Sequence, residues 1–344
     1  MRKFILKCLF TIFPIMVLIY AYGFYVNFYL IGNILTKAGD LGNLGYFYID
    51  KGQTNLGKKL YENKVDQYHE SIQEKYNILT IGDSFSQQGF GGYQNYLGNK
   101  LGERILNYPD PRGKGYCPEE IALYLLNNDI YTKLGCKIVI IETVEREFVQ
   151  HILSFRDITN INYSIDNEDD TSKNISTKKR DYLMETFKYI KYHLYKSKRP
   201  VKEAQLSTDC FSAPYKTLYF YNDDLWKLSI TEEEYNTIWD RLNKLHKRFQ
   251  EKGIDLYYMI APDKYDVYQP YIANNPYPPK TVIDQLEENG INQLDWLINP
   301  RNKFREMISS GVKDVYHIDD THWATIASET VSNIIANKIT QATK

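Results

Sequence analysis

The chain has 344 residues, a formal net charge of −1 and 43% hydrophobic residues. The near-zero net charge gives no electrostatic basis for binding nucleic acid through a broadly basic surface. The hydrophobic fraction supports a packed core, and the length allows one large domain or one domain with an insertion. The four cysteines, one of which lies in an apolar N-terminal run, allow no disulfide pairing to be deduced.

The first segment of the chain has the pattern of a membrane anchor. Basic residues precede an uncharged run at 8–26, close to the roughly 20 residues that span a bilayer as a helix. The positive-inside rule places the N-terminus in the cytoplasm and the rest outside it. A signal peptide cleaved near Ala21-Tyr22-Gly23 is the alternative. We favour a retained anchor at 1–31, and hence a single-pass membrane protein with a periplasmic or extracellular domain.

The next segment, 32–70, is interpreted as a neck or linker. It is rich in glycine and asparagine as far as residue 57, and a helix is predicted over 58–76. Buried strands are predicted at 78–82, 105–108, 137–143, 255–261 and 315–318. Helices are predicted at 90–101, 119–127, 231–252, 302–310 and 324–339. The third of these helices opens with a capping box of Thr231 and Glu234.

Strands and helices alternate along 71–344, which predicts a three-layer α/β/α domain with a mostly parallel sheet. Residues 154–228 interrupt this alternation with an acidic patch, a basic helix at about 177–198 and an irregular stretch. We interpret them as an insertion in the domain, a candidate lid or docking element.

Two short motifs follow predicted strands and carry the chemistry of acyl transfer. Ser84 ends the first buried strand, where an open α/β sheet places its ligand crevice. His322 follows the last predicted strand and has a side chain suited to a general base. A serine hydroxyl needs such a base, and the base needs an orienting carboxylate, for which both Asp320 and Asp319 are candidates. Asp83 is expected to stabilise the turn backbone instead.

The reaction also requires donors that stabilise an oxyanion. The backbone N–H of Ser84 is one candidate. Gly113 or Gly115, in the loop after the second strand, is the other, because glycine lets the backbone approach closely.

Two arginines, Arg112 and Arg146, are candidate cationic supports for the oxyanion or the substrate. For Arg146 a salt bridge to Glu142 or Glu145 is an equal alternative. No group of histidine, cysteine and acidic residues has the spacing of a metal site, so we predict no metal and no cofactor.

With these residues in view, the chain resembles the SGNH/GDSL hydrolase superfamily, and most of all its branch of alginate O-acetylation proteins (AlgX and AlgJ). The motifs are Ile81–Ser86, Ala261–Lys264 with Tyr268 beyond, and Asp320–Trp323. The last tetrad matches the Asp-x-His-Trp signature of the branch, which favours Asp320 over Asp319. The superfamily's Gly-x-Asn-Asp block is not found after the third strand. The Asp-x-His-Trp element follows the serine, whereas it precedes the serine in the alginate proteins.

The resemblance implies O-acetylation of an extracytoplasmic glycan through an acetyl-serine. The implied partners are the glycan and a membrane-bound O-acyltransferase that supplies the acetyl group. A membrane-tethered carbohydrate acetylesterase with the same triad and a catalytically degenerate glycan-binding protein are the alternatives. A protein of teichoic-acid D-alanylation, which also carries an anchored domain of this kind, is a related possibility.

Overall fold

The chain forms a three-layer α/β/α domain in a computed structural model, which describes residues 2–25, 38–49, 62–163, 189–192, 194–195, 199–226 and 229–342. Six strands form one sheet in the order β1-β3-β2-β4-β7-β8, and every neighbouring pair is parallel. Two further strands, β5 and β6, form an antiparallel hairpin. The strands are β1 (Val65–Gln67), β2 (Ile78–Ile81), β3 (Ile105–Tyr108), β4 (Ile138–Val144), β5 (Val201–Gln205), β6 (Thr217–Tyr221), β7 (Asp255–Ala261) and β8 (Leu297–Ile298).

Helices connect the strands and cover both faces of the sheet. They are α1 (Arg2–Tyr25), α2 (Asp40–Gly45), α3 (Tyr93–Leu101), α4 (Pro118–Asn127), α5 (Ile130–Leu134), α6 (Glu145–Ser154), α7 (Glu232–Glu251), α8 (Lys264–Tyr268), α9 (Val282–Glu288), α10 (Arg301–Ser309) and α11 (Thr325–Ala342).

The central strands are buried on both faces, so their side chains divide between two hydrophobic cores. On one face, Ile140 and Met259 pack in a cluster with side chains of α3, α10 and α11. On the other, Val139 and Ile141 pack with side chains of α4, α6 and α7. This arrangement explains why the first four residues of β4, Ile138–Ile141, form an unbroken β-branched apolar run, since a strand covered by helices on both sides has no polar face.

The predicted α/β architecture is found, and four of the five predicted buried strands are present as β2, β3, β4 and β7. Helix α7 begins at the predicted capping box. Thr231 Oγ1 accepts from the Glu234 N–H at 3.1 Å, and Glu234 Oε2 accepts from the Thr231 N–H at 2.8 Å.

Two predicted elements are wrong. Residues 315–318 form no strand; they belong to a loop that is closed by one antiparallel bridge between Tyr316 and Trp323. Within the predicted helix at 58–76, the described residues from 62 onward contain the short edge strand β1 and no helix. Its Val-Asp-Gln sequence lacks the apolar alternation that identifies a strand.

The N-terminal segment forms helix α1, which contains Pro14. Within the described part of the chain, no helix is both long and apolar enough to cross a membrane. The transmembrane helix predicted for 1–31 is thus not found among the described residues, and residues 26–31 lie outside them. Of the predicted insertion at 154–228, the structure describes the hairpin of β5 and β6, whereas most of the predicted helix at 177–198 lies outside the described residues.

Candidate active site

The turn that carries Ser84 is built by the residue before it. Asp83 is fully buried and caps a short 3-10 helix, because its Oδ1 accepts from the Phe85 N–H at 2.9 Å. Its Oδ2 accepts from the N–H of Val144, at the end of β4, at 2.8 Å. The same carboxylate therefore folds the turn and fastens it to the neighbouring strand, which confirms the expected role of Asp83. Ser84 itself remains partly exposed at the carboxyl end of β2.

A buried polar group supports this turn from below. Glu142 Oε2, on β4, accepts from the Asp83 N–H at 3.1 Å and from Ser86 Oγ at 2.9 Å. Burial and the nearby charge of Asp83 raise the pKa of Glu142 well above its usual value. Asn107, on β3, donates to the Ser86 carbonyl at 3.1 Å. Gly82 is required here because a Cβ would clash with Ser86 and Glu142. These contacts fix the orientation of the serine turn.

His322 lies in the loop between Tyr316 and Trp323. Its Nδ1 lies 2.6 Å from Asp320 Oδ1, and the same oxygen accepts from the His322 backbone N–H at 3.0 Å. A carboxylate only accepts hydrogen bonds, so Nδ1 carries the proton and Nε2 is left as the basic nitrogen. The structure thus pairs the histidine with Asp320.

The electrostatics of this pair suit a general base. Burial alone would lower the pKa of His322, but the hydrogen bond and charge of Asp320, with a further contribution from Asp40, outweigh burial and raise it. Burial would raise the pKa of Asp320, but the hydrogen bonds and charge of His322 lower it well below its usual value. The pair therefore holds a proton on the imidazole more tightly than an isolated histidine does.

The serine turn and the histidine loop meet at the carboxyl edge of the sheet. The ring of Phe85, next to Ser84, lies with its centroid 4.9 Å from that of His322. Gln88 Nε2 donates to the Trp323 carbonyl at 2.9 Å and ties the two segments together. Among the described residues, His322 Nε2 is buried and makes no hydrogen bond, and no hydrogen bond joins it to Ser84 Oγ.

A lysine holds the histidine loop in place. Lys264, at the start of α8, is buried, and its Nζ donates to the carbonyls of His317, Ile318 and Asp320 at 2.6, 2.8 and 3.0 Å. Burial lowers the pKa of Lys264 to about 8. The sequence identifies Lys264 only as part of a motif. Its partners are backbone carbonyls, which every residue has, so no pattern of residue types predicts these bonds.

The segment interpreted as a neck also contributes to the site. Asp40, at the start of α2, accepts from the Thr321 N–H at 2.7 Å, and its Oδ2 lies 3.9 Å from His322 Nδ1. Asp319 Oδ2 accepts instead from the Gly39 N–H at 2.8 Å, so it anchors this segment and does not hold the imidazole. Sequence reasoning missed Asp40, since the glycine-rich stretch around it carries no motif.

Three of these side chains are grouped closely enough to be considered as metal ligands. Donor atoms of Asp40, Asp320 and His322 lie within 4.8 Å of one another. Both carboxylates are engaged in the loop, since Asp320 binds the imidazole and Asp40 binds Thr321. The absence of a metal from the reaction stays a prediction.

Both predicted arginines lie at the carboxyl edge of the sheet, each paired with acidic residues. Arg112 Nη1 lies 3.9 Å from Asp83 Oδ2 and 3.1 Å from Glu147 Oε2, so Arg112 lies beside the serine turn. Arg146 pairs with Asp263 and lies 3.7 Å from Asp224. The predicted alternative, a salt bridge from Arg146 to Glu142 or Glu145, is therefore wrong.

The two glycines of the same loop differ in what their backbones offer. The Gly115 N–H donates to the Arg112 carbonyl at 3.0 Å within a 3-10 turn, so it is not available to an oxyanion in this conformation. Gly113 lies inside that turn and is exposed to solvent. Of the two predicted glycine donors, Gly113 is thus the one that remains a candidate oxyanion donor.

This α/β domain, with a serine turn and a histidine–aspartate pair at one edge of a parallel sheet, has the arrangement of an acyl-transfer or ester-hydrolysis site. Residues 219–344 match the family described as "SGNH hydrolase-like domain, acetyltransferase AlgX". The resemblance that the motifs indicated is confirmed over these residues, which include Lys264, Asp320 and His322 but not Ser84. No match was found among curated proteins.

Proposed function

We propose that the chain is an O-acetyltransferase that modifies an extracytoplasmic polysaccharide through an acetyl-Ser84 intermediate. The observation that carries this proposal is the His322–Asp320 pair, held 2.6 Å apart in a loop that contacts the serine turn. The match of residues 219–344 to a family described by an acetyltransferase supports the choice of reaction.

The reaction proceeds in two balanced steps. Ser84 Oγ attacks the carbonyl carbon of an acetyl donor while His322 Nε2 accepts the hydroxyl proton, and the donor's leaving group departs with that proton. Acetyl-Ser84 remains. A sugar hydroxyl then attacks the acyl carbon, its proton passes to His322 Nε2 and on to Ser84 Oγ, and the acetylated sugar is released. The Ser84 N–H would stabilise the oxyanion in both steps.

The location and the acetyl donor are part of the proposal. The uncharged run at 8–26 and the exposed apolar side chains of α1, such as Phe10, Phe13 and Leu18, support association of this helix with a membrane. A membrane-bound O-acyltransferase would then supply acetyl to Ser84 outside the cytoplasm. No cofactor enters this scheme.

The test is transfer from a chromogenic acetyl ester with and without an oligosaccharide acceptor. We expect an acetylated oligosaccharide, and we expect Ser84→Ala to lower its formation by at least about 10³-fold. Ser71→Ala, which removes an exposed serine hydroxyl outside the site, is the matched control and should be unchanged.

The outcomes separate the alternatives. Release of acetate with no acetylated sugar would identify an acetylesterase with the same triad. Binding of the oligosaccharide without either reaction would identify a glycan-binding protein with a degenerate site. Activity that survives in Ser84→Ala would reject the assigned nucleophile.

A further inference from the structure

A cavity of about 610 Å³ opens beside the serine turn, within the range of about 300–1,000 Å³ typical of small-ligand sites. Its lining includes Arg112 after β3, Arg146 after β4, and Tyr221 and Trp226 at and beyond the end of β6. Since Arg112 also lies 3.9 Å from Asp83, the cavity is next to the proposed nucleophile without including it.

Aromatic side chains form part of the cavity wall. Trp226 is 72% exposed, although a free indole face of this size is unfavourable in water. Tyr221 lies under the Arg146 guanidinium, with 5.7 Å between the Arg146 Cζ and the ring centroid, and Tyr116 lies 5.7 Å from Tyr163 between ring centroids. Such a wall presents flat apolar faces with polar edges, which suit the C–H face of a pyranose ring.

The charges of the lining are balanced by pairing. Arg112 binds Glu147 at 3.1 Å, and Arg156 binds Glu120 at 2.7 Å. Arg146 is held by two aspartates behind the wall. Three arginines therefore face three carboxylates in the lining, the third being Asp223. An anionic sugar would meet carboxylates here without an uncommitted guanidinium, whereas sugar hydroxyls can donate to those carboxylate oxygens.

We propose that this cavity binds an uncharged sugar residue of the acceptor glycan, stacked on Trp226, so that the acceptor is a neutral polysaccharide and not a polyuronate. The inference rests on the proposed function, because it names the substrate class of the same site. It adds a recognition site, in the connection after β6, to which the serine turn and histidine loop contribute no lining residue.

The test measures binding by calorimetry with the full chain carrying Ser84→Ala, which prevents turnover. The probes are β-1,4-linked tetrasaccharides of glucose, mannose and galactose, each compared with the tetrasaccharide of its uronic acid. We expect at least one neutral probe to bind about tenfold or more tightly than its uronate counterpart. Adding Trp226→Ala should weaken that binding about tenfold or more, while Trp226→Phe, which keeps an aromatic face, should retain most of it.

Tyr215→Ala is the matched control, since Tyr215 is an exposed aromatic in the connection between β5 and β6 and does not line the cavity. Its affinity for the sugars should equal that of the parent. Tighter binding of the uronates, no binding of any probe, or affinity unchanged by Trp226→Ala would each overturn the inference. Ester hydrolysis that depends on Ser84 is measured separately in the unmodified chain. If it persists in such a case, only the sugar site is rejected, and if it is absent, the proposed function itself fails.

Discussion

Replacement of Lys264 by methionine tests whether this lysine positions His322, the proposed general base. Methionine keeps an unbranched apolar stem of similar length but has no ammonium group. The substitution therefore removes three hydrogen bonds, to the carbonyls of His317, Ile318 and Asp320. The side chains of Asp320 and His322 are unchanged.

The expected change in stability is small because two contributions oppose each other. The pKa of Lys264 falls from 10.5 to about 8 on burial, so keeping it charged costs about 3 kcal/mol in the folded state at neutral pH. This cost is present below pH 8 and is relieved as the pH rises from 8 to 10.5. Methionine avoids it but leaves three carbonyls without their donor, at about 1 kcal/mol each. The free energy of unfolding should therefore change by less than about 1–2 kcal/mol.

The expected change in activity is large. Without the ammonium group, the loop that carries His322 loses the three bonds that hold it against α8. Misplacement of a catalytic group by about 1 Å can lower a rate by about 100-fold. Ester hydrolysis should fall by about that factor while chemical denaturation shows nearly unchanged stability. Lys338→Met is the control, because it removes a lysine–carbonyl bond of 2.6 Å to Asp295, just before the edge strand β8. It should leave the rate unchanged.

Two results would refute this reasoning. Wild-type activity in Lys264→Met would show that the three carbonyl bonds do not position the base. A loss of several kcal/mol in unfolding free energy would show that Lys264 has a general structural role, and the rate would then say nothing about positioning.

Two further predictions concern the same site. Because Asp320 raises the pKa of His322, and the proposed base acts only when neutral, the rate of ester hydrolysis should rise with pH through an inflection above 6.5. In Asp320→Asn this inflection should move to lower pH and the maximum rate should fall. An inflection that does not move would exclude His322 as the titrating base. Burial and the charge of Asp83 raise the pKa of Glu142 well above its usual value, which favours its neutral form. Glu142→Gln should therefore keep the free energy of unfolding within about 1 kcal/mol of the parent in chemical denaturation, whereas Glu142→Ala should lower it by about 2–4 kcal/mol. An equal loss in both variants would mean that Glu142 is charged.

The sequence predicted the central strands because their physical signal is local. Strands β2, β3, β4 and β7 are apolar runs that are buried on both faces, so hydrophobicity alone marks them. The edge strand β8 has only two residues and the hairpin of β5 and β6 is half exposed, so neither has a run long enough to identify.

The short, mostly apolar run at 315–318 predicted a strand for a different reason, since its apolar side chains are indeed buried. Val315, Tyr316 and Ile318 all lie in the core. Their backbone, however, bonds to side chains and to other residues of its own loop, as in the Ala324 N–H to Val315 carbonyl bond of 2.9 Å, and not to a strand of the sheet. The Tyr316 N–H donates to Tyr268 Oη at 3.1 Å, and the Ile318 carbonyl accepts from Lys264. Periodicity reports which side chains are buried, but it does not report what binds the backbone.

The same limit explains which parts of the site the sequence could predict. The proposed reacting groups, Ser84 and His322, follow from residue types whose chemistry is recognisable wherever they occur. The groups that hold them in place act across long separations, as Asp40 does on Thr321 from 281 positions away. Such contacts depend on the fold and on no local pattern. The loop of the proposed base is held by a buried ammonium group and by a distant carboxylate, so it can be misplaced by changes that leave the proposed triad residues intact. Mutations of Lys264 or Asp40 should therefore lower the rate without altering the chemistry of the proposed reacting atoms.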